Sequence, residues 1–132
     1  MNITFKNKKH AERFFTACAE NCVRMDDLPF LAALYLLTVR RKLWEQFKDK
    51  VEPEDGIPEH AFRSFKANNQ TEEALVAAAY DLLNFTDWIS LSDLTSKEEI
   101  PDEALLAIVN VIGYMRYGFF DESNEPTITE YA

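Results

Sequence analysis

Leu28-Pro29-Phe30-Leu31-Ala32-Ala33-Leu34-Tyr35-Leu36-Leu37-Thr38-Val39 is the stretch that decides the fold. Asp26 and Asp27 stand before it as an N-cap signal, and Pro29 suits a first helical turn, where its missing N–H costs nothing. From Phe30 to Leu37 every position is apolar. A helix apolar on all sides is buried on all sides, so this segment is expected at the centre of the molecule. Beyond Val39 the pattern turns amphipathic. Leu43, Trp44, Phe47 and Val51 recur at helical spacing, and Arg40, Arg41, Lys42, Lys48 and Lys50 carry the charge. The spacing predicts one long central helix over 28–50.

On its N-terminal side, residues 2–6 alternate, with Ile3 and Phe5 on one side, as a short strand or extended arm does. Asn7 is a candidate N-cap for a helix over 8–23, whose apolar face is Ala11, Phe14, Phe15, Cys18 and Cys22. On the C-terminal side, Glu52-Pro53-Glu54-Asp55-Gly56-Ile57-Pro58 breaks the helix. A short helix over 58–67 follows, with Ala61, Phe62 and Phe65 inward. Thr71 is read as the cap of a helix over 72–85, with Leu75, Val76, Ala79, Leu82 and Leu83 as its apolar face and Ala77 to Ala79 open to close helix approach. Residues 86–100 read as turns, with Ser96 and Glu99 at capping-box spacing. The last helix, 101–117, is expected to turn Leu105, Ile108, Val109, Ile112 and Met115 inward, with Leu106 and Val111 widening that face. Gly113 suits a close helix crossing and Gly118 a C-cap.

The fold expected is therefore all-α: an irregular or orthogonal bundle of about five helices around the buried helix 28–50. The 132 residues are read as a single helical domain, with 1–7 as an N-terminal arm and 119–132 as an acidic C-terminal tail whose residues 127–131 are candidates to pair with residues 3–5. An apolar share of 47%, with ten Phe, five Tyr and two Trp, is enough for one core without disulfide or metal staples. Three Gly and five Pro are too few for a disordered chain.

The net charge of −9 is unevenly spread. Residues 1–50 hold ten Lys and Arg against six Asp and Glu; residues 51–132 hold four against seventeen. So acidic a second half argues against non-specific nucleic-acid binding by that half, and nucleic acid is not the expected partner. The opening Met1 to Lys6 has no apolar run resembling a signal peptide, and no apolar run is long enough to span a bilayer. A cytoplasmic protein with reduced Cys18 and Cys22 is expected, and no membrane partner.

Signatures of chemistry are missing from the sequence. There is no P-loop, dinucleotide fingerprint or nucleophile elbow. Cys18 and Cys22, four apart, would supply only half a zinc site, and core packing accounts for them. His10 is read as lying in solvent or beneath the N-terminal arm. Most acidic residues stand at helix starts, where the dipole explains them; Asp81 and Asp87 are the less explained ones. No catalytic, metal or cofactor residue is assigned. The leading expectation is a protein-interaction module that meets a protein partner or a second copy, with Arg40, Arg41, Lys42 and Lys48 as a candidate interaction surface. The alternatives are a ligand-binding or enzymatic domain with a cleft beside Asp87 and Trp88, and nucleic-acid binding through the basic face of helix 28–50.

The segment Ile3-Thr4-Phe5-Lys6-Asn7-Lys8-Lys9-His10-Ala11-Glu12-Arg13-Phe14, with Ala33-Leu34-Tyr35-Leu36-Leu37, resembles an uncharacterised family of small bacterial proteins, frequent in gut Gram-positive species and their mobile elements. The shared features fall here on Phe5, His10 and Tyr35 with Leu36. The resemblance implies a helical fold in a bacterial cytosol, and no catalytic activity.

Overall fold

Ile3 and Phe5, fully buried, pin the start of the chain to the bundle as strand β1 (Ile3–Phe5). The computed structural model describes residues 3–120 and the backbone of 128–130. After β1 come α1 (Lys8–Glu20), α2 (Leu28–Leu37), α3 (Arg41–Phe47), α4 (Glu59–Arg63), α5 (Gln70–Asn84), a 3₁₀ turn at Asp93–Thr95, α6 (Asp102–Tyr117) and strand β2 (Ile128–Glu130). The two strands pair in parallel, Ile3 opposite Ile128 and Phe5 opposite Glu130. The rest of the expected tail, 121–127 and 131–132, lies outside the described residues.

The all-α reading holds, and α2 is its centre. Every residue from Phe30 to Leu37 is buried, and α2 packs against α1, α5 and α6. Alanines set the spacing. Ala32 and Ala33 on α2, Ala74, Ala78 and Ala79 on α5, and Ala104 and Ala107 on α6 are all buried, so the backbones approach closely. At one end an aromatic cluster of Phe5, Phe14, Tyr35, Tyr114 and Phe119 fills the space, with ring centroids 5.2 to 6.4 Å apart. Phe119 is fully buried, so the core extends one residue past the glycine into what reads as tail.

The long helix 28–50 is a correction. It is two helices, broken at residues 38–40. Arg40 is extended (φ −124°, ψ 136°). Thr38 Oγ1 donates back to the Leu34 carbonyl at 2.6 Å, a bond that competes with helix continuation. The carbonyls of Thr38 and Val39 accept from the Arg13 guanidinium at 2.8 and 3.0 Å rather than from amides further along. The apolar period runs through this break unbroken, which is why spacing alone misses it.

Smaller shifts occur at other ends. α1 stops at Glu20, and Asn21 follows as its C-cap. Asn69, not Thr71, caps α5: its side chain accepts from the Glu72 amide at 2.9 Å. The Asn7 cap, the Ser96–Glu99 contact and the Gly118 C-cap are where the sequence places them.

The face of α6 is the second correction. Ala104, Ala107, Ile108, Val111 and Tyr114 point inward. Leu106, Val109 and Ile112 stand 45%, 55% and 47% exposed. A helix with apolar side chains on both faces offers no periodic cue to which one is buried. The alanine side wins because only small residues fit the close approach to α2 and α5.

Candidate functional site

Three places gather polar or exposed groups that core packing does not demand. The first lies under β1. His10, fully buried on the first turn of α1, accepts from the Lys6 amide at Nδ1 (3.0 Å) and donates from Nε2 to the Tyr35 carbonyl (2.8 Å). Those two partners require the neutral Nε2–H tautomer. Burial pushes the His10 pKa down to about 4, and the charges of Arg13 and Lys6 add to that, although the Tyr35 carbonyl opposes it. Thr4 completes the anchor: its amide donates to Tyr114 Oη at 2.6 Å, and its carbonyl accepts from the Tyr35 hydroxyl. All these groups are paired within the fold, so the cluster is a clasp for the arm rather than a reactive centre. His10 lies beneath the arm, one of the two places read for it.

The second place is a groove of about 470 Å³ at the α2–α3 break, lined by Lys6, Arg13, Val39, Arg40, Arg41, Lys42, Asn68, Asn69 and Glu72. Of the basic surface expected from sequence, Arg40, Arg41 and Lys42 come together here. Lys48 does not. It lines a neighbouring groove, which shares Arg13 and Arg41 and adds Glu12, Glu20 and Glu45. Arg40 and Lys6 are both held by Glu103, at 2.6 and 2.7 Å. Burial pushes the Glu103 carboxyl up, but these two hydrogen bonds outweigh it and hold the pKa below its ordinary value.

The third place is apolar. A groove of about 380 Å³ runs between the end of α5, the 85–94 segment and α6, walled by Leu82, Phe85, Ile89, Leu94, Ile108 and Ile112 among others. Its α6 wall is Ile108, Ile112 and Met115; on the outward face of the same helix Leu106, Val109 and Gly113 recur at three- and four-residue spacing. Nothing lies within 4 Å of where a Gly113 Cβ would sit. The crossing that Gly113 suggests is therefore not made by any described helix of this chain. Phe85 sits at the edge of the groove in the left-handed region (φ 57°, ψ 46°), with its side chain 79% exposed. Glycine is the usual residue there, and a phenylalanine pays roughly 1 kcal/mol for the conformation.

No family model, curated protein or solved structure matches this chain. The sites therefore rest on their own geometry.

Asp81 is explained by that geometry. Its carboxylate accepts from Thr86 Oγ1 (2.6 Å) and from the amides of Trp88 (2.9 Å) and Ile89 (2.8 Å), folding the loop after α5. Trp88 stacks on Tyr80, centroids 3.9 Å apart and nearly parallel. Asp87 is exposed. The apolar groove uses Thr86 and Ile89, on either side of this pair, for its wall. Cys18 is half-buried, its thiol pushed up to about 12 by burial; Cys22 is exposed, beyond the end of α1. Among the described residues no three His, Cys, Asp or Glu side chains converge as metal ligands, and no helix is long and apolar enough to cross a membrane. Sequence reasoning missed the outward face of α6 because it assigned Val109 and Ile112 to the core. The signal available was Ala104 and Ala107, three apart on the opposite side.

Proposed function

We propose that this chain is a protein-interaction module that pairs with a second copy of itself through the outward face of α6 and the adjoining 85–91 loop. The observation that carries the reading is the exposed stripe of Leu106 and Val109 beside the open notch at Gly113. Apolar patches left exposed on a folded chain mark docking surfaces. A twofold interface needs knob and hole on the same surface. Here Val109 and Ile112 supply the knobs and Gly113 the hole, on one helix. Phe85 supports the reading from a separate direction. A large apolar side chain kept exposed in a conformation that favours glycine is a local cost, and such costs gather at functional sites. The α6 stripe of Leu106, Val109 and Gly113 itself carries no charged side chain. A stable pair would bury about 800 Å² on each copy, roughly a tenth of the 7616 Å² surface.

Part of the same proposal is a cytosolic setting in a bacterial or mobile-element accessory system. The sequence resemblance and two thiols that are not joined to each other support it.

Size-exclusion chromatography with light scattering tests the pairing. The native chain is expected at twice its 15.3 kDa mass, and Val109→Glu at the monomer mass with an unchanged helical spectrum. A native protein that stays monomeric up to about 1 mM, a Kd weaker than roughly 4 kcal/mol of association, overturns the reading.

A further inference from the structure

We propose that the groove at the α2–α3 break binds a small phosphorylated molecule, a phosphate or diphosphate ester, through Arg13, Arg41 and Lys42. The inference is independent of the pairing through α6, since the two grooves share no lining residue.

The charge count is the first argument. Five cations line this groove, Lys6, Arg13, Arg40, Arg41 and Lys42. Glu103 takes up Lys6 and Arg40. The other carboxylate at the wall, Glu72, is buried and turned to the side chains of Asn68 and Asn69, at 3.3 and 3.5 Å. Arg13, Arg41 and Lys42 remain outside these pairs, although Arg13 and Arg41 also border the neighbouring groove that holds Glu12, Glu20 and Glu45. Lys42 has no hydrogen-bond or ion-pair partner among the described residues, and Arg41 has only Glu45, at 4.0 Å. Arg13 meets no carboxylate within ion-pair distance among the described residues. This surplus stands on a chain whose net charge is −9. Cations in an acidic protein have many carboxylates available, so a concavity that leaves Lys42 unpaired, Arg13 without a carboxylate at ion-pair distance and Arg41 with a single contact at 4.0 Å attracts an anion from outside.

Preorganisation is the second argument. Arg13 is fixed by its two bonds to the Thr38 and Val39 carbonyls. Those bonds use Nε and Nη2, and Nη1 makes no hydrogen bond among the described residues. A guanidinium already held in place loses little entropy on binding, and its fork matches phosphate oxygens. Burial lowers the Arg13 pKa and the nearby charge of Arg41 lowers it further. The nearby charge of Glu12 opposes both effects; a bound anion would act in the same direction as Glu12.

Size and surroundings select the ligand. About 470 Å³ holds a compact ester rather than a duplex. The acidic balance of residues 51–132 disfavours a long polyanion.

Calorimetric titration of the full chain with pyrophosphate and with inorganic phosphate at low salt tests the site. Saturable one-to-one binding is expected, tighter for pyrophosphate. Arg41→Ala is expected to weaken it about tenfold and Lys42→Ala several-fold, as loss of a charge-assisted contact does. Both side chains are exposed, so both variants are expected to fold. Lys48→Ala, which lines only the neighbouring groove, is expected to change affinity less than about twofold. Absence of saturable binding by about 10 mM pyrophosphate overturns the proposal. So does equal weakening by Lys48→Ala, which would mean general attraction to a basic face. Tighter binding of a single-stranded oligonucleotide that depends on Lys48 would also overturn it, in favour of a nucleic-acid surface.

Discussion

Acidification from pH 7 to pH 4 should unclasp the N-terminal arm through His10. In the fold, Nδ1 accepts from the Lys6 amide and Nε2 donates to the Tyr35 carbonyl. A second ring proton would have to sit at Nδ1, facing the Lys6 N–H. The folded pKa is about 4 against an ordinary 6.5. Above about pH 6.5 both folded and unfolded states hold the neutral ring, and His10 makes stability independent of pH. Below it the unfolded chain takes the proton first, so stability falls as pH falls. The loss is roughly 2 kcal/mol by pH 5 and approaches about 3 kcal/mol below pH 4. Glu103, held low by Lys6 and Arg40, adds its own loss once pH falls below the ordinary 4.5, where the unfolded chain takes that proton first. The assay is urea unfolding at steps from pH 7.5 to pH 4.5. The native chain is expected to lose stability over this window. His10→Gln, which keeps a donor and an acceptor without titrating, is expected to lose about 2 kcal/mol less. A His10 resonance that titrates by NMR at 6.5 or above in the folded chain would refute the reasoning.

Three other perturbations have expected outcomes. Phe85→Gly should stabilise the folded chain by about 1 kcal/mol, since glycine adopts φ 57° freely, while weakening the pairing, read by thermal melts and by light scattering. Gly113→Ala should raise the stability of the dilute chain by about 0.5 to 1 kcal/mol through helix propensity, yet raise the dimer Kd because the notch is filled. Asp81→Ala should cost about 1 to 2 kcal/mol by removing the acceptor of the Trp88 and Ile89 amides, and hydrogen exchange at Ile89 should speed up by about tenfold or more.

Much of this architecture is legible in the residues because local chemistry and global packing agree there. Phe30 to Leu37 has no polar side to expose, so its burial follows from the pattern alone. Asn7 and Gly118 act within one turn of where they stand, and the alternation at Ile3 and Phe5 survives as a strand. The break at Thr38 to Arg40 was hidden because its cause, the Arg13 guanidinium, is 25 residues away from Thr38 in the chain. The face of α6 was hidden because apolar weight favours Val109 and Ile112, while the geometry of close packing favours Ala104 and Ala107. The basic groove assembles Lys6, Arg13, Arg41 and Asn68 from four separate segments. Sequence spacing marks Arg40 to Lys42 as basic but does not show that Lys6 and Arg13 join them or that Lys48 turns elsewhere.

The most direct test of the α6 interface is a filtered NMR experiment on a mixture of isotope-labelled and unlabelled chains, which records only contacts between different copies. Methyl groups of Val109 and Ile112 should show contacts to the Gly113 Hα protons of the other copy. A dimeric sample in which no contact between copies involves α6 would contradict the account.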